Sequence, residues 1–160
     1  MAFKWIGGGL LLLSAFVYCY RFERGAAQTK RVLSAWITLL SDIKGQISCC
    51  GTPLSDILLH ADPDVVAILE AQGGPLTATG LGECCRVHAA RLPAPCGELL
   101  ARLSQEWGRS WRQEEIERLN YYITELTQQK EAYCVSAGGA ARLRRTLSFC
   151  GALGIILLFW

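Results

Sequence analysis

The 160-residue sequence predicts an all-α protein, an antiparallel helical bundle between an N-terminal and a C-terminal transmembrane helix. Apolar residues recur at helical spacing through the middle of the chain, and no stretch there is typical of a sustained strand. Both ends are more apolar than the middle, as membrane helices are. The predicted domains are an N-terminal anchor at 1–24, a helical bundle at 25–141 and a C-terminal membrane segment at 142–160.

The first segment, FKWIGGGLLLLSAFVYCY at 3–20, contains one charged residue, Lys4. As a helix it would be about 27 Å long, close to the ~30 Å of a bilayer's hydrocarbon core. A cleaved signal peptide is the alternative, but no small-residue cleavage site follows the apolar run. The bulky sequence FVYCYRF at 16–22 therefore favours an uncleaved anchor.

The last segment, TLSFCGALGIILLFW at 146–160, has no charged side chain. It is about 22 Å long as a helix, so it would start a turn earlier, with its arginines snorkelling to the surface. A buried C-terminal core helix is the alternative. A helix that is apolar all round is less typical of so small a domain, which favours a membrane segment.

Basic residues cluster on the inner side of both apolar segments, whereas only Lys4 and the amino terminus are positive on the outer side. The positive-inside rule therefore predicts a two-pass protein with a cytoplasmic bundle and both termini across the membrane. Anionic membrane lipid would account for these charges, so no nucleic-acid partner is predicted. The topology-setting residues are Arg21, Arg24, Lys30, Arg31, Arg142, Arg144 and Arg145.

The middle of the chain is predicted to be helical throughout. The helices are expected at 29–47, at 53–58, at 63–71 after an Asp62 cap, at 79–92, at 96–106, and from a Ser110–Gln113 capping box onward. The last helix is expected to run toward the C-terminal segment, with Gly138 and Gly139 as the place where it could bend.

The stretch CCGTPLSDILL at 49–59 predicts a helix–turn–helix corner. Gly51 would end one helix, Thr52 would cap the next, and Pro53 would occupy its first position. Leu54, Ile57 and Leu58 would face inward, and Asp56 would face solvent. The candidate corner and partner-contact residues are Thr52, Pro53, Leu54 and Asp56.

Eight cysteines raise the alternative of a metal or redox site. The vicinal pairs Cys49–Cys50 and Cys84–Cys85 would be poor chelates, because neighbours on a helix point about 100° apart. A reducing cytoplasm also disfavours a disulfide framework. Cys84 and His88 share a helical face and form the best half-site, but a second half is not evident. We therefore expect the cysteines to pack as small apolar residues, and any further role stays open.

No catalytic signature is present. The sequence lacks a Walker loop, a GxGxxG fingerprint, an HExxH motif and a nucleophile elbow beside His60 or His88. The acidic residues follow solvent-face spacing. The sequence therefore predicts a protein that is not an enzyme, with no catalytic residue and no cofactor.

In this order, the elements resemble the stage III sporulation protein AB family. GTPLSDIL at 51–58 is similar to the family's TPL-x-(E/D)-A-L, and LSQEWGRSWRQEEIERL at 103–119 is similar to its LG-x-S-D…Q corner. The basic-flanked anchor at 3–24 and the helix RLRRTLSFCGALGIILLFW at 142–160 match its ends. Trp111 departs from the family's usual Asp, and the cysteine pairs are not part of its pattern.

The resemblance implies a platform or adaptor of the mother-cell to forespore channel that endospore formation needs. Such a protein would lie in the mother-cell membrane around the forespore and engage a secretion-type ATPase and other channel subunits. The family in turn resembles the F subunit of type II secretion and type IV pilus systems, so a fragment of such a platform is an alternative. A membrane-anchored cysteine-based metal or redox sensor is another. Homo-oligomerisation, the transported substrate and the ATPase-binding face stay open.

Overall fold

The structure, a computed structural model, describes residues 2–107 and 112–159. Within the terminal helical segments, some side chains lie outside this description: those of 2–12, 15, 112, 141–142, 144–145, 149, 152–153 and 155–159. The predicted capping residue Ser110 also lies outside the described residues.

The described residues are helical apart from short connections, and they contain no strand, which confirms the all-α prediction. The helices are α1 (Ala2–Cys50), α2 (Leu54–Leu59), α3 (Pro63–Gly73), α4 (Leu81–Arg91), α5 (Ala94–Glu106) and α6 (Arg112–Phe159). Helices α1 and α6 have 49 and 48 residues, so each joins a terminal apolar segment to a bundle helix. Helix α6 continues through Gly138 and Gly139 without interruption.

The chain forms two compact units. One unit, the bundle, comprises Thr29–Ala132. The other, the terminal helix pair, comprises Met1–Gln28 and Tyr133–Trp160. The division of the sequence at residues 24 and 142 is a functional prediction that this geometry does not test.

The core of the bundle draws apolar side chains from all six helices. Helix α1 supplies the largest part, because its apolar stripe has the 3.6-residue period that turns one face inward. Removing these side chains from water is the main favourable term in holding the helices together. The largest fully buried members are Leu33, Trp36, Leu39, Leu40, Ile43, Ile57, Leu69, Leu81, Leu100, Leu103, Leu119 and Leu126.

Local sequence explains where most of the helices begin and end. Gly51, with φ of 63°, ends α1 as predicted, since few side chains tolerate positive φ. The Asp62 carboxylate accepts a hydrogen bond from the Asp64 N–H at 2.9 Å and caps α3, also as predicted. Helix α4 begins two residues later than predicted, because Thr77 forms a turn by accepting from the Gly80 and Leu81 amides.

Helices α4 and α5 approach each other closely at Gly97. A β-carbon at this position would overlap the Ala89 carbonyl oxygen and would lie 3.4 Å from that of Leu92. Helix α5 also begins at Ala94, earlier than the predicted Cys96, since proline is tolerated in a first helical turn. The tight α4–α5 hairpin therefore depends on the missing side chain of Gly97.

The terminal helix pair is held by contacts between its two segments, and the Cys19 thiol donates to the Ser148 hydroxyl at 3.7 Å. Its outer surface exposes several large apolar side chains, among them Leu13, Phe16, Val17, Leu143 and Leu147. Among the described residues, no helix has the combined length and apolarity that crossing a membrane requires. By this measure of length and apolarity, the predicted transmembrane helices are unsupported.

We predict opposite effects for two glycine substitutions in the α4–α5 hairpin. Gly97→Ala should lower the free energy of unfolding by about 1–3 kcal/mol, because the added carbon meets backbone. Gly82→Ala should be neutral or stabilising by up to about 1 kcal/mol, because the nearest atom is 3.7 Å away and alanine favours a helix. Denaturant unfolding of the purified chain measures both. Equal stability of the two variants would contradict the close approach.

Candidate functional site

The predicted corner lies between α1 and α3, around the short helix α2. Ile57 and Leu58 are buried in the core, with Leu58 8% exposed, and Leu54 packs against the core from its edge. Asp56 is exposed, and Leu59 is 81% exposed. The predicted inward and outward faces of the corner are therefore confirmed.

The predicted capping role of Thr52 is wrong. Helix α2 begins at Leu54 with Pro53 as its N-cap, and no side chain caps it. Pro53 has extended backbone angles, and its carbonyl accepts from the amides of Asp56 and Ile57 at 3.0 and 3.2 Å. The helix therefore starts one residue later than predicted, and replacing Thr52 does not carry the ~1 kcal/mol cost of a lost cap.

The outer face of the corner is acidic. Asp56 and Leu59 on α2, and Asp62 and Asp64 at the start of α3, are all exposed, and no Lys or Arg occurs between Lys44 and Arg86 in the sequence. The exposed His60 ring nitrogen Nδ1 lies 2.8 Å from the Asp56 carbonyl oxygen. The corner therefore combines a protruding apolar side chain with carboxylates, an arrangement suited to a basic protein partner.

The five cysteines of the bundle fall into two environments. Cys84, Cys85 and Cys96 are buried and pack in the core, as predicted. Cys49 and Cys50 lie in the last turn of α1, also as predicted, but they are exposed and fill no gap in the bundle. Exposure at a helix end leaves these two thiols little to contribute to stability.

The buried thiols are poorly suited to thiolate chemistry. Burial, together with the smaller effect of the nearby Glu70 carboxylate, raises the pKa of Cys84 to about 11. Burial likewise raises the pKa of Cys85 and of Cys96. In the described part of the chain, no three His, Cys, Asp or Glu side chains come together as metal ligands would. Protonated thiols are weak metal ligands and weak nucleophiles.

His88, the other half of the predicted Cys84–His88 pair, is a core residue. Its Nε2–H donates to the Leu69 carbonyl at 3.0 Å, and its ring meets Trp36 edge-to-face with centroids 5.6 Å apart. Room for the ring exists because Gly73 has no side chain; a β-carbon there would lie 2.7 Å from Nε2. Within the described residues, His88 Nδ1 and Trp36 Nε1 are buried without a hydrogen-bond partner.

A polar cluster that the sequence did not predict joins the end of α5 to the start of α6. Tyr122 donates to the Glu106 carboxylate at 2.8 Å, and Arg118 donates to the Glu106 carbonyl at 2.8 Å. Arg118 also pairs with the mostly buried Glu115 at 3.4 Å. Burial and the Glu106 carboxylate raise the pKa of Tyr122 to about 12. The i,i+3 spacing of Glu115 and Arg118 was a usable signal, but the role of Glu106 needs the fold.

The predicted topology-setting residues lie on the two long helices. Arg21, Arg24, Lys30 and Arg31 are exposed on α1, and the Arg24 guanidinium carbon lies 4.5 Å from the centroid of the Tyr20 ring. Arg142, Arg144 and Arg145 lie on α6, and their side chains are outside the described set.

Comparison of the chain with protein-family models, with curated proteins and with solved structures found no significant match. A functional proposal therefore rests on the sequence pattern together with the geometry of the bundle, its corner and the terminal helix pair.

We predict that two neighbouring leucines in α2 respond differently to the same change. Leu58→Asp should unfold a bundle of ordinary stability, because it buries an unpaired charge at a cost of several kcal/mol. Leu59→Asp should change the free energy of unfolding by less than about 0.5 kcal/mol, since that side chain is in solvent. Circular dichroism with thermal unfolding measures both. A well-folded Leu58→Asp variant would contradict the docking of α2.

We predict that His88 makes the bundle less stable in mild acid. Burial lowers the pKa of His88, so folding favours the neutral ring. The unfolded chain takes up a proton below about pH 6.5, and the free energy of unfolding should fall by up to about 1.4 kcal/mol per pH unit below that value. Denaturant unfolding between about pH 7.5 and 5.5 measures the slope.

His60 supplies the control for this prediction, because it is the other histidine and is exposed. His60→Gln should keep the slope, whereas His88→Gln should lose it in any population that folds. A flat profile in the His60→Gln variant would rule out His88 as its source.

Proposed function

We propose that this chain is a membrane platform or adaptor protein of the mother-cell to forespore channel in endospore formation. Its bundle would bind a secretion-type ATPase in the mother-cell cytoplasm, and the protein would also contact other channel subunits. The observation that carries the proposal is an all-α bundle, Thr29–Ala132, whose two ends continue into apolar segments that pack as a separate unit. This order matches the sequence resemblance to the stage III sporulation protein AB family.

Membrane attachment, as a two-pass protein, is supported by the surface of the terminal helix pair. Phe16 is 68% exposed and Leu147 is 61% exposed, on segments that carry few charges. Water-soluble surfaces seldom present a large patch of apolar side chains, and a lipid environment would cover these. The basic residues that follow the first segment and precede the second support a cytoplasmic bundle.

The acidic corner is the face we assign to the ATPase. Leu59 protrudes from it and is flanked by exposed carboxylates, whereas its neighbours Ile57 and Leu58 anchor α2 to the core. An apolar anchor within a charged rim is the usual anatomy of a protein–protein contact. The bundle holds the contact surface rigidly, as a part that passes on force must.

The proposed activity is binding, without covalent chemistry. A type II secretion or pilus platform would share this bundle, and the resemblance at the chain ends favours the sporulation branch. A sensor built on Cys84 and Cys85 is disfavoured, because burial raises the pKa of both thiols.

Reversal of one charge tests the assigned face. Asp56→Arg should fold normally, because the side chain is exposed. It should capture at least tenfold less ATPase in co-purification, because like charges at an interface cost several kcal/mol and about 1.4 kcal/mol is already tenfold. Glu98→Arg is the matched control, since Glu98 is an exposed carboxylate on α5.

Two outcomes would count against the proposal. Full capture of the ATPase by a folded Asp56→Arg protein would remove the corner from the interface. Failure of the unaltered full chain to capture the ATPase at all would overturn the platform function itself.

A further inference from the structure

The terminal helix pair brings two groups of arginines, Arg21 with Arg24 and Arg142 with Arg144, to one height along its axis, which we call the arginine level. Its two segments run antiparallel, because each enters the bundle at its inner end, and the Cys19–Ser148 hydrogen bond sets their register. Five residues further along α1 is Arg24, and five residues back along α6 is Leu143. Arg142 and Arg144 flank Leu143, so positions 24 and 143 of the sequence lie at the same height along the helix pair.

Apolar side chains lie on the outer side of this level. Leu13, Phe16, Val17 and Tyr20 are exposed at spacings of three and four residues, so they share one face of α1, and Arg24 ends the row. On α6, Leu143 and Leu147 are exposed at a spacing of four. The surface therefore changes along the helix axis from apolar to aromatic and then to cationic.

Negative charge is scarce around the arginines. Glu23 is the sole acidic side chain before Asp42, and no acidic side chain follows Glu131. The Arg24 guanidinium stacks over Tyr20 and so covers the polar end of the apolar row. A partner that covers this surface must be apolar on one side of the arginine level and anionic at it.

We propose that the terminal helix pair binds a bilayer containing anionic lipid, with its arginine level among the headgroup phosphates. The apolar row would lie in the hydrocarbon, and Tyr20 would lie at the boundary, where aromatic rings are enriched. Arginine offers donors that match two phosphate oxygens at once. The inference rests on the membrane part of the proposed function and adds the lipid class and the depth of insertion.

Charge complementarity favours lipid over a second copy of the chain. Two copies that packed in parallel through this surface would bring their arginine levels together, and like charges at an interface oppose association. In an antiparallel pair each arginine level would instead lie against the apolar end of the other copy, where it finds no counter-charge. Anionic headgroups instead lower the repulsion among the arginines of one chain.

The test is the partition of the purified full chain from detergent into preformed vesicles, measured by flotation. Vesicles are made of phosphatidylcholine alone or of phosphatidylcholine with phosphatidylglycerol. Each basic residue near an anionic surface strengthens binding about fivefold, so the double variant Arg21→Gln, Arg24→Gln should bind the mixed vesicles about 25-fold less. Its binding to the neutral vesicles should be unchanged.

The matched control removes the same charge from the bundle. Arg86 and Arg102 are exposed on α4 and α5, and the double variant Arg86→Gln, Arg102→Gln should bind both vesicles as the unaltered chain does. Equal binding of the unaltered chain to both kinds of vesicle would overturn the proposal. It would also be overturned if the Arg86→Gln, Arg102→Gln variant lost as much binding to the mixed vesicles as the Arg21→Gln, Arg24→Gln variant. A stable dimer that needs Phe16 and stays off the vesicles would assign the surface to a second copy. None of these readings involves the ATPase, so failure here is distinct from failure of ATPase capture.

Discussion

His88 on α4 lies against Trp36 of α1 and donates to the Leu69 carbonyl of α3, so one buried ring joins three helices. The contact requires Gly73, whose missing side chain leaves the space the imidazole occupies. Beside it, Arg91 donates to the Gln72 carbonyl at 3.0 Å, so α4 satisfies two carbonyls near the end of α3. The Gln72 carbonyl lies in the last turn of α3, where it has no partner within its own helix, so Arg91 satisfies one of the acceptors that the helix end leaves open.

The position of the acidic corner follows from this arrangement. Helices α1 and α3 are held at Trp36 and Leu69, and α2 closes the connection between them by inserting Ile57 and Leu58. The side of α2 that remains outside carries Asp56 and Leu59. A surface held in this way can meet a partner without first being ordered, which lowers the entropic cost of binding.

Periodicity predicted the helices and the inward face of α1, because core burial and helical geometry act through the same spacing. Residue type predicted the Gly51 and Asp62 boundaries, because a glycine ends one helix and an aspartate caps the other. It failed at Thr52, because Pro53 adopts the extended angles and takes the cap position itself. The hydrogen bond between Tyr122 and Glu106 could not be predicted, because it joins residues on different helices and no local sequence pattern encodes how those helices pack. The prediction that Cys84 and His88 share a helical face was correct. Only the fold showed that His88 Nε2 is already hydrogen-bonded, to the Leu69 carbonyl.

The sequence from 45 to 85 contains neither lysine nor arginine, and this stretch includes all of α2 and α3. Trypsin therefore releases the corner as part of one long peptide, and tryptic digestion cannot resolve its footprint under a bound partner. Cross-linkers that react with amines find no target there either, so a map built on lysine chemistry would leave this face blank even in a fully formed complex. Reagents that couple to carboxylates, or to the exposed thiols of Cys49 and Cys50, are the chemistry that can report on it.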